Sequence, residues 1–264
     1  MTSLTIFWAI FFVSLGLALP RRARAHTFWT TALPAKEGEK ATVVLGYGDS
    51  FPEAGPIEED RVRIFFPPEL ISPAGKKIPL SPTSENHLFV SDEPLGKGTH
   101  LVTGVYKPTI WVKTVEKGWE IKSKKDATGT LLLSGRYSMF AKGVYGVAGN
   151  GDDGLASEPA GQPLELVPLS NPLKLKPGDL LKVRLLWEGK PLPRKTVFGI
   201  TEGYGDPAWD LKAYAGSTDN DGILNFVPWK SGRWQLEADH SRPSADPGEC
   251  DAEVAETKLN FLVG

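Results

Sequence analysis

Histidines are the scarcest metal-binding nitrogens in this 264-residue chain, which has four: His26, His87, His100 and His240. His26 directly follows Ala23-x-Ala25, a small-x-small pattern that reads as the cut site of a secretory signal. Cleavage after Ala25 leaves His26 with a free α-amine. That amine and the ring Nδ1 can close a chelate on one metal ion. An α-amine titrates at about 7.7–8.0, so at neutral pH it yields its proton to a metal at modest cost. Such a nitrogen pair suits Ni(II), Co(II) or Cu(II) better than calcium or magnesium. The competing reading is that cleavage simply happens to leave a histidine first.

The other histidines are read through strand alternation. Trp234, Leu236, Ala238 and His240 fall on one face of a strand. The first three are core-facing, so His240 sits at a core rim, as a packed residue or as a ligand. His100 shares a face with Val102, which suits a partly buried structural histidine or, alternatively, a ligand. His87, beside Asn86 in a turn-like stretch, is expected in solvent.

Other chemistry-bearing patterns are sparse. The chain has no Gly-x-Ser-x-Gly elbow, no His-Glu-x-x-His, no phosphate-binding Gly-x-x-x-x-Gly-Lys-Ser/Thr and no paired-cysteine zinc motif. No catalytic residue is assigned and the chain is not expected to be an enzyme. The single Cys250 cannot close an internal disulfide, and it reads as an incidental loop thiol. Asp152 and Asp153 read as linker rather than a calcium loop. Asp219-Asn220-Asp221-Gly222 lacks the glutamate of an EF-hand and reads as a tight hairpin turn. Trp29, Trp111, Trp119, Trp209 and Trp229 are candidates for a sugar-binding platform, although tryptophans of β-sandwiches more often belong to the core.

The elements that must position these residues follow an export signal. An apolar run from Ile6 through Leu19 is broken at Pro20. The arginines of this segment follow the apolar run rather than precede it, which leaves a retained anchor as the alternative to cleavage. The run is shorter than the roughly 20 residues of a spanning helix. Cleavage after residue 25 removes Arg21, Arg22 and Arg24, taking the formal charge from −2 to −5. With no basic stripe, nucleic acid is not expected as a partner.

Beyond the signal, 28 glycines, 22 prolines and short apolar runs predict an all-β chain. Strands are predicted over 41–47, 61–66, 87–91, 99–107, 109–115 and 128–145, the last bent or broken. In the second half they are predicted over 164–168, 180–187, 196–201, 213–217, 223–228, 232–239 and 257–263. Seven short strands in about 100 residues suggest an immunoglobulin-like sandwich. The expected organisation is a signal peptide over 1–25, a β-sandwich domain over 26–148, a linker over 149–163 and an immunoglobulin-like sandwich over 164–264.

Several segments then resemble one group. They are His26-Thr27-Phe28-Trp29, Gly46-Tyr47-Gly48-Asp49-Ser50-Phe51-Pro52, the run from Gly161 to Pro172, Gly189-Lys190-Pro191-Leu192-Pro193, Thr218-Asp219-x-Asp221-Gly222 and Gly232-x-Trp234. Together they resemble an exported family of unknown function that is grouped with nickel-uptake components. The second half is also similar to the carboxypeptidase-regulatory-like β-sandwich, a fold that by itself assigns no function. The family resemblance implies a periplasmic, two-domain β protein handling nickel or cobalt, as an accessory to a membrane uptake component. The family pattern at the second segment is similar to Gly-Trp-Gly-His-x-Phe-Pro, so Tyr47 replaces the tryptophan and Asp49 the histidine. Asp49 thereby joins His26, His240 and His100 as a candidate ligand. It offers a harder oxygen that weakens selectivity for Ni(II) or Cu(II). Two other functions compete: a copper enzyme built on the N-terminal histidine, and a non-catalytic envelope module that binds protein or glycan without metal.

Overall fold

The computed structural model describes residues 27–49, 51–149, 154–204 and 211–264. The first half holds β1 (Thr27–Ala32), β2 (Thr42–Gly48), β3 (Glu69–Ile71), β4 (Lys77–Ile78), β5 (Leu80–Pro82), β6 (Leu88–Ser91), β7 (Gly98–Thr114), β8 (Gly118–Ile121) and β9 (Leu131–Val147). The second holds β10 (Leu164–Pro168), β11 (Leu181–Trp187), β12 (Lys190–Pro191), β13 (Thr196–Thr201), β14 (Tyr214–Ser217), β15 (Ile223–Phe226), β16 (Gly232–Pro243) and β17 (Ala252–Val263).

Among the described residues these strands form three sheets. One small sheet runs β1-β2-β6-β5, and a second runs β10-β11-β12 with β15 also on β11. The third has nine strands, in the order β14-β13-β16-β17-β9-β7-β3-β4, with β8 on β7. It crosses from the first half of the chain to the second through a parallel β17–β9 pairing, Ala252↔Gly135 to Asn260↔Gly143.

Side-chain alternation shows how the layers stack. On β9, Phe140 and Val144 point into a core with Leu164, Leu185, Trp234 and Phe261. Met139, Ala141 and Tyr145, on the other face, pack with residues of the first small sheet such as Phe28, Leu45 and Val43. The two small sheets therefore cover opposite faces of the long sheet, and β9 is buried on both sides. That explains its unbroken buried run from Met139 to Tyr145.

A fully buried ion pair ties the halves together. Lys142 Nζ on β9 lies 2.9 Å from Glu165 Oε1 on β10, and both side chains are about 1% exposed. Lys142 also donates to the Glu158 carbonyl. The Glu165 carboxylate accepts from the backbone amides of Ala160, Gly161 and Gln162. Burial pulls the Lys142 ammonium below its ordinary pKa, against the pull of Glu165 in the other direction. Gln162 Nε2 completes the attachment by donating to the carbonyls of Gly104 and Ala141. The described end of the expected linker is thus bonded into the sheet that spans both halves.

Four strand expectations differ from the structure. Residues 61–66 form the end of a short helix, α1 (Glu59–Val62), followed by a single bridge from Phe65 to Tyr106. Glu59 and Asp60 favour a helix start, and Pro67-Pro68 prevents the apolar residues from extending as a strand. The strands expected over 99–107 and 109–115 are one strand, β7, whose pairing is irregular between Tyr106 and Thr109. Pro108 sits in that gap, where its missing N–H breaks no ladder bond. The long stretch expected to bend runs unbroken as β9, held by β7 on one side and β17 on the other.

β1 crosses the face of the long sheet at Gly143. A Cβ there would lie 2.5 Å from the Thr30 carbonyl oxygen. Gly143→Ala is therefore expected to destabilise by about 1–3 kcal/mol, read as a lowered denaturation midpoint. Gly55→Ala, with nothing within 4 Å of the added carbon, is the control expected to leave it unchanged. A second expectation concerns the ion pair: Glu165→Gln leaves a buried ammonium without its counter-charge, and unfolding titration should show a loss of about 3–5 kcal/mol.

Candidate functional site

The best candidate site is built where the start of β1 meets β2 and the long sheet. β1 and β2 pair antiparallel from Thr27↔Gly48 to Ala32↔Val43. Gly46 is required because the Trp29 indole lies on it; a Cβ at that position would come within 2.0 Å of the ring. Trp29 is fully buried, with Phe51 against it edge to face at 5.8 Å. Tyr47 packs against Phe65 and Tyr106. Burial and the neighbouring Tyr106 push its hydroxyl up to about 12; Glu58 and Asp49 add to this and Arg61 opposes it. Asp49 itself is exposed, one residue past the Thr27↔Gly48 pair.

Thr27 connects this corner to a polar row on the long sheet. Its hydroxyl donates to Gln235 Oε1 at 3.1 Å, and Gln235 Nε2 donates to Asn260 Oδ1 at 2.9 Å. Gln235 and Asn260 are buried cross-strand partners on β16 and β17. Next along the same face, Glu237 accepts from Lys258 at 3.0 Å and from Lys212 at 2.6 Å. Lys258 reaches Glu256 as well. Burial opposes ionisation of Glu237, but Lys258 and Lys212 outweigh it and hold the carboxyl at about 2.

The sequence-predicted residues fall at separate places. His26, and with it the α-amine, lies outside the described residues, as do Trp209 and the Asp152-Asp153 pair. His100 is fully buried on β7, its Nδ1 3.3 Å from the Gly98 carbonyl and its ring against Tyr145. The Tyr145 hydroxyl donates to the Leu33 carbonyl, so His100 stands near the opposite end of β1 from Thr27. His240 is half-buried with its ring 4.7 Å from that of Trp187. Burial lowers its pKa, helped by Lys195 and Arg242. It lies five residues along β16 from Gln235, roughly 16 Å in an extended strand. Among the described residues no three His, Cys, Asp or Glu side chains come together as a metal-binding group. Asp49, His100 and His240 therefore do not share one shell.

Smaller expectations are also settled. His87 is buried rather than solvated, 4% exposed, with Nε2 3.7 Å from Glu85. Cys250 is buried and donates to Ser244 Oγ. Asp219 Oδ1 accepts from the amides of Asp221 and Ile223, which makes a turn. It is not a hairpin, because β14 pairs with β13 and β15 with β11. Trp29 is core. Trp111, Trp119 and Tyr137 pack edge to face on one another, and Trp229 is half-exposed beside Tyr204. Thr27, Gln235 and Asn260 were missed as site residues. Their one signal is that polar residues at 235 and 237 and at 256, 258 and 260 alternate with apolar ones, a pattern that reads as a solvent-facing side.

These layers define an all-β protein of β-sandwich construction. The chain belongs to the family described as a domain of unknown function, DUF4198, which matches residues 23–242. No curated protein matches it. Among solved structures it is similar to the titin domains Z1Z2 in complex with telethonin, at 13% identity over 91% of this chain and 97% of that one, with a TM-score of 0.20. It is also similar to the D0-D1 domain of intimin, at 11% identity over 89% and 97%, with a TM-score of 0.21. Likenesses this slight carry no argument about function.

The Glu237 pair makes a pH prediction. A carboxyl held near 2 in the fold and at the ordinary 4.5 when unfolded stabilises fully above 4.5. That stability is lost as pH falls from about 4.5 toward 2. Denaturant midpoints of the wild type and Glu237→Gln should differ at pH 6, and the gap should shrink by on the order of 2 kcal/mol by pH 2.5.

Proposed function

We propose that the chain is an exported, periplasmic protein whose mature form begins at His26 and binds one transition-metal ion there, as an accessory to nickel or cobalt uptake. His26 supplies its α-amine and ring Nδ1, and Asp49 supplies a carboxylate oxygen. Ni(II) and Co(II) are the ions the family resemblance suggests, although intrinsic affinity at such nitrogens rises from Co(II) through Ni(II) to Cu(II).

The β1–β2 register carries this reading. Thr27, the residue after His26, is paired with Gly48, the residue before Asp49. Single peptide steps of about 3.8 Å on either side of that pair keep the Cα atoms of His26 and Asp49 within about 13 Å. A shared ion needs them closer than that limit, as in a directly opposed antiparallel pair at about 4.5–5.5 Å. The bond from Thr27 to Gln235 supports it further by fixing the first described residue of the strand to the long sheet. His100 and His240 lie too far along their strands to join this shell, and each is engaged elsewhere.

Mass spectrometry of the exported protein should give His26 as its first residue. Isothermal titration near neutral pH should then show one Ni(II) or Co(II) per chain. An extra residue ahead of His26 removes the free amine and should abolish binding. Asp49→Asn should weaken it about tenfold, or 1.4 kcal/mol. Unchanged affinity with the extra residue in place would sink the proposal, and a folded mature protein that binds none of the three metals would favour the metal-free envelope module.

A further inference from the structure

A cleft of about 300 Å³ opens beside the polar row, between the end of β1 and the long sheet. Its floor comes from neighbouring strands: Arg233 on β16, Asn260 and Leu262 on β17, and Tyr145 on β9. Thr31, Ala32, Pro34 and Ala35 and the Phe51-Pro52 segment close it from above. Aromatic and aliphatic side chains dominate the walls, and polar groups are few, as in sites for small organic ligands.

Two of those polar groups lack partners. Asn260 is 4% exposed, and its Oδ1 is taken by Gln235, yet its Nδ2 donates to nothing. A buried amide left in that state costs about 1–3 kcal/mol. Arg233 makes no ion pair with any described acid. The carboxylate of Glu202 lies against Gly232, whose missing side chain would point to the opposite face of β16 from that of Arg233. Gly264 borders the cleft too, with its oxygen bonded to Ser231. Tyr145 cannot serve the cleft as a donor, since its hydroxyl is spent on the Leu33 carbonyl.

We propose that this cleft is a binding site for a small monocarboxylate with an apolar body. The carboxylate would take a charge-assisted hydrogen bond from the Arg233 guanidinium and, once the amide turns from its buried position, one from Asn260 Nδ2. The apolar body would lie among Phe51, Pro52 and Leu262. A phosphate or sulfate fits less well, because the site offers one cation and an apolar wall where those ions need several donors. The site requires no metal and does not depend on His26.

Phenylacetate, with phenylacetamide as its neutral counterpart, tests this on metal-stripped protein. Binding is followed by titration calorimetry and by the fluorescence of Trp234, which borders the cleft. Phenylacetate should bind and phenylacetamide should bind at least tenfold more weakly. Arg233→Gln, a change at a half-exposed position, should weaken phenylacetate about tenfold with an unchanged thermal midpoint. Asn260→Ser should weaken it as well. No binding of phenylacetate at millimolar concentration to folded wild-type protein overturns the proposal. So does equal affinity for the amide, or full affinity in a folded Arg233→Gln variant. Because the protein is free of metal throughout, none of these results bears on the N-terminal metal reading.

Discussion

The Lys142–Glu165 pair is the constraint around which the rest of this structure is arranged. It lies where β9 is covered on both faces, so neither charge can reach water. A buried ion pair adds little net stability compared with apolar residues of the same shape, yet losing either partner is costly. Its value is in specifying geometry. The carboxylate fixes three consecutive amides at residues 160–162, and the ammonium fixes the Glu158 carbonyl. The segment entering β10 thereby has one way to lie on β9. Gln162 repeats the attachment through the carbonyls of Gly104 and Ala141.

Once that segment is seated, β10 and β11 cover one face of the long sheet and β1 and β2 the other. β17 can then pair in parallel with β9, which joins strands more than a hundred residues apart in one ladder. The small residues of β9 serve this arrangement. Gly143 lets the backbone of β1 pass directly over the sheet, and that crossing carries Thr27 to Gln235. The corner proposed to hold a metal and the cleft proposed to hold a carboxylate both sit along this crossing. They are linked by the bonds from Thr27 to Gln235 to Asn260, yet each has its own chemistry.

Much of the fold was legible before the structure. Turn residues between short apolar runs were enough for the all-β class, and the strands over 164–168 and 196–201 were placed to the residue. The failures have physical causes. β1 shows no alternation because Phe28, Trp29 and Thr30 are all buried, so a period-2 reading passes over it. Residues 61–66 have strand-like composition, but acidic residues before them and two prolines after them favour one turn of helix. His87 lies in a polar neighbourhood of the sequence and is nevertheless buried, since burial there is decided by distant chain.

The candidate site divides along the same line. The sequence by itself determined the β class and the identity of the few side chains able to ligate a metal, because these depend on residue type and local order. Only the tertiary structure decided which of them can meet. It separated His100 and His240, whose places are set by strand registers that alternation cannot reveal. It set the neighbours of His26 and Asp49 opposite one another through the β1–β2 register. It also turned Arg233, Gln235 and Asn260, polar residues that alternate like a solvent-facing side, toward a crossing strand. The physical reason is that a sheet face is polar or apolar according to what covers it, and the covering chain comes from the other end of the sequence.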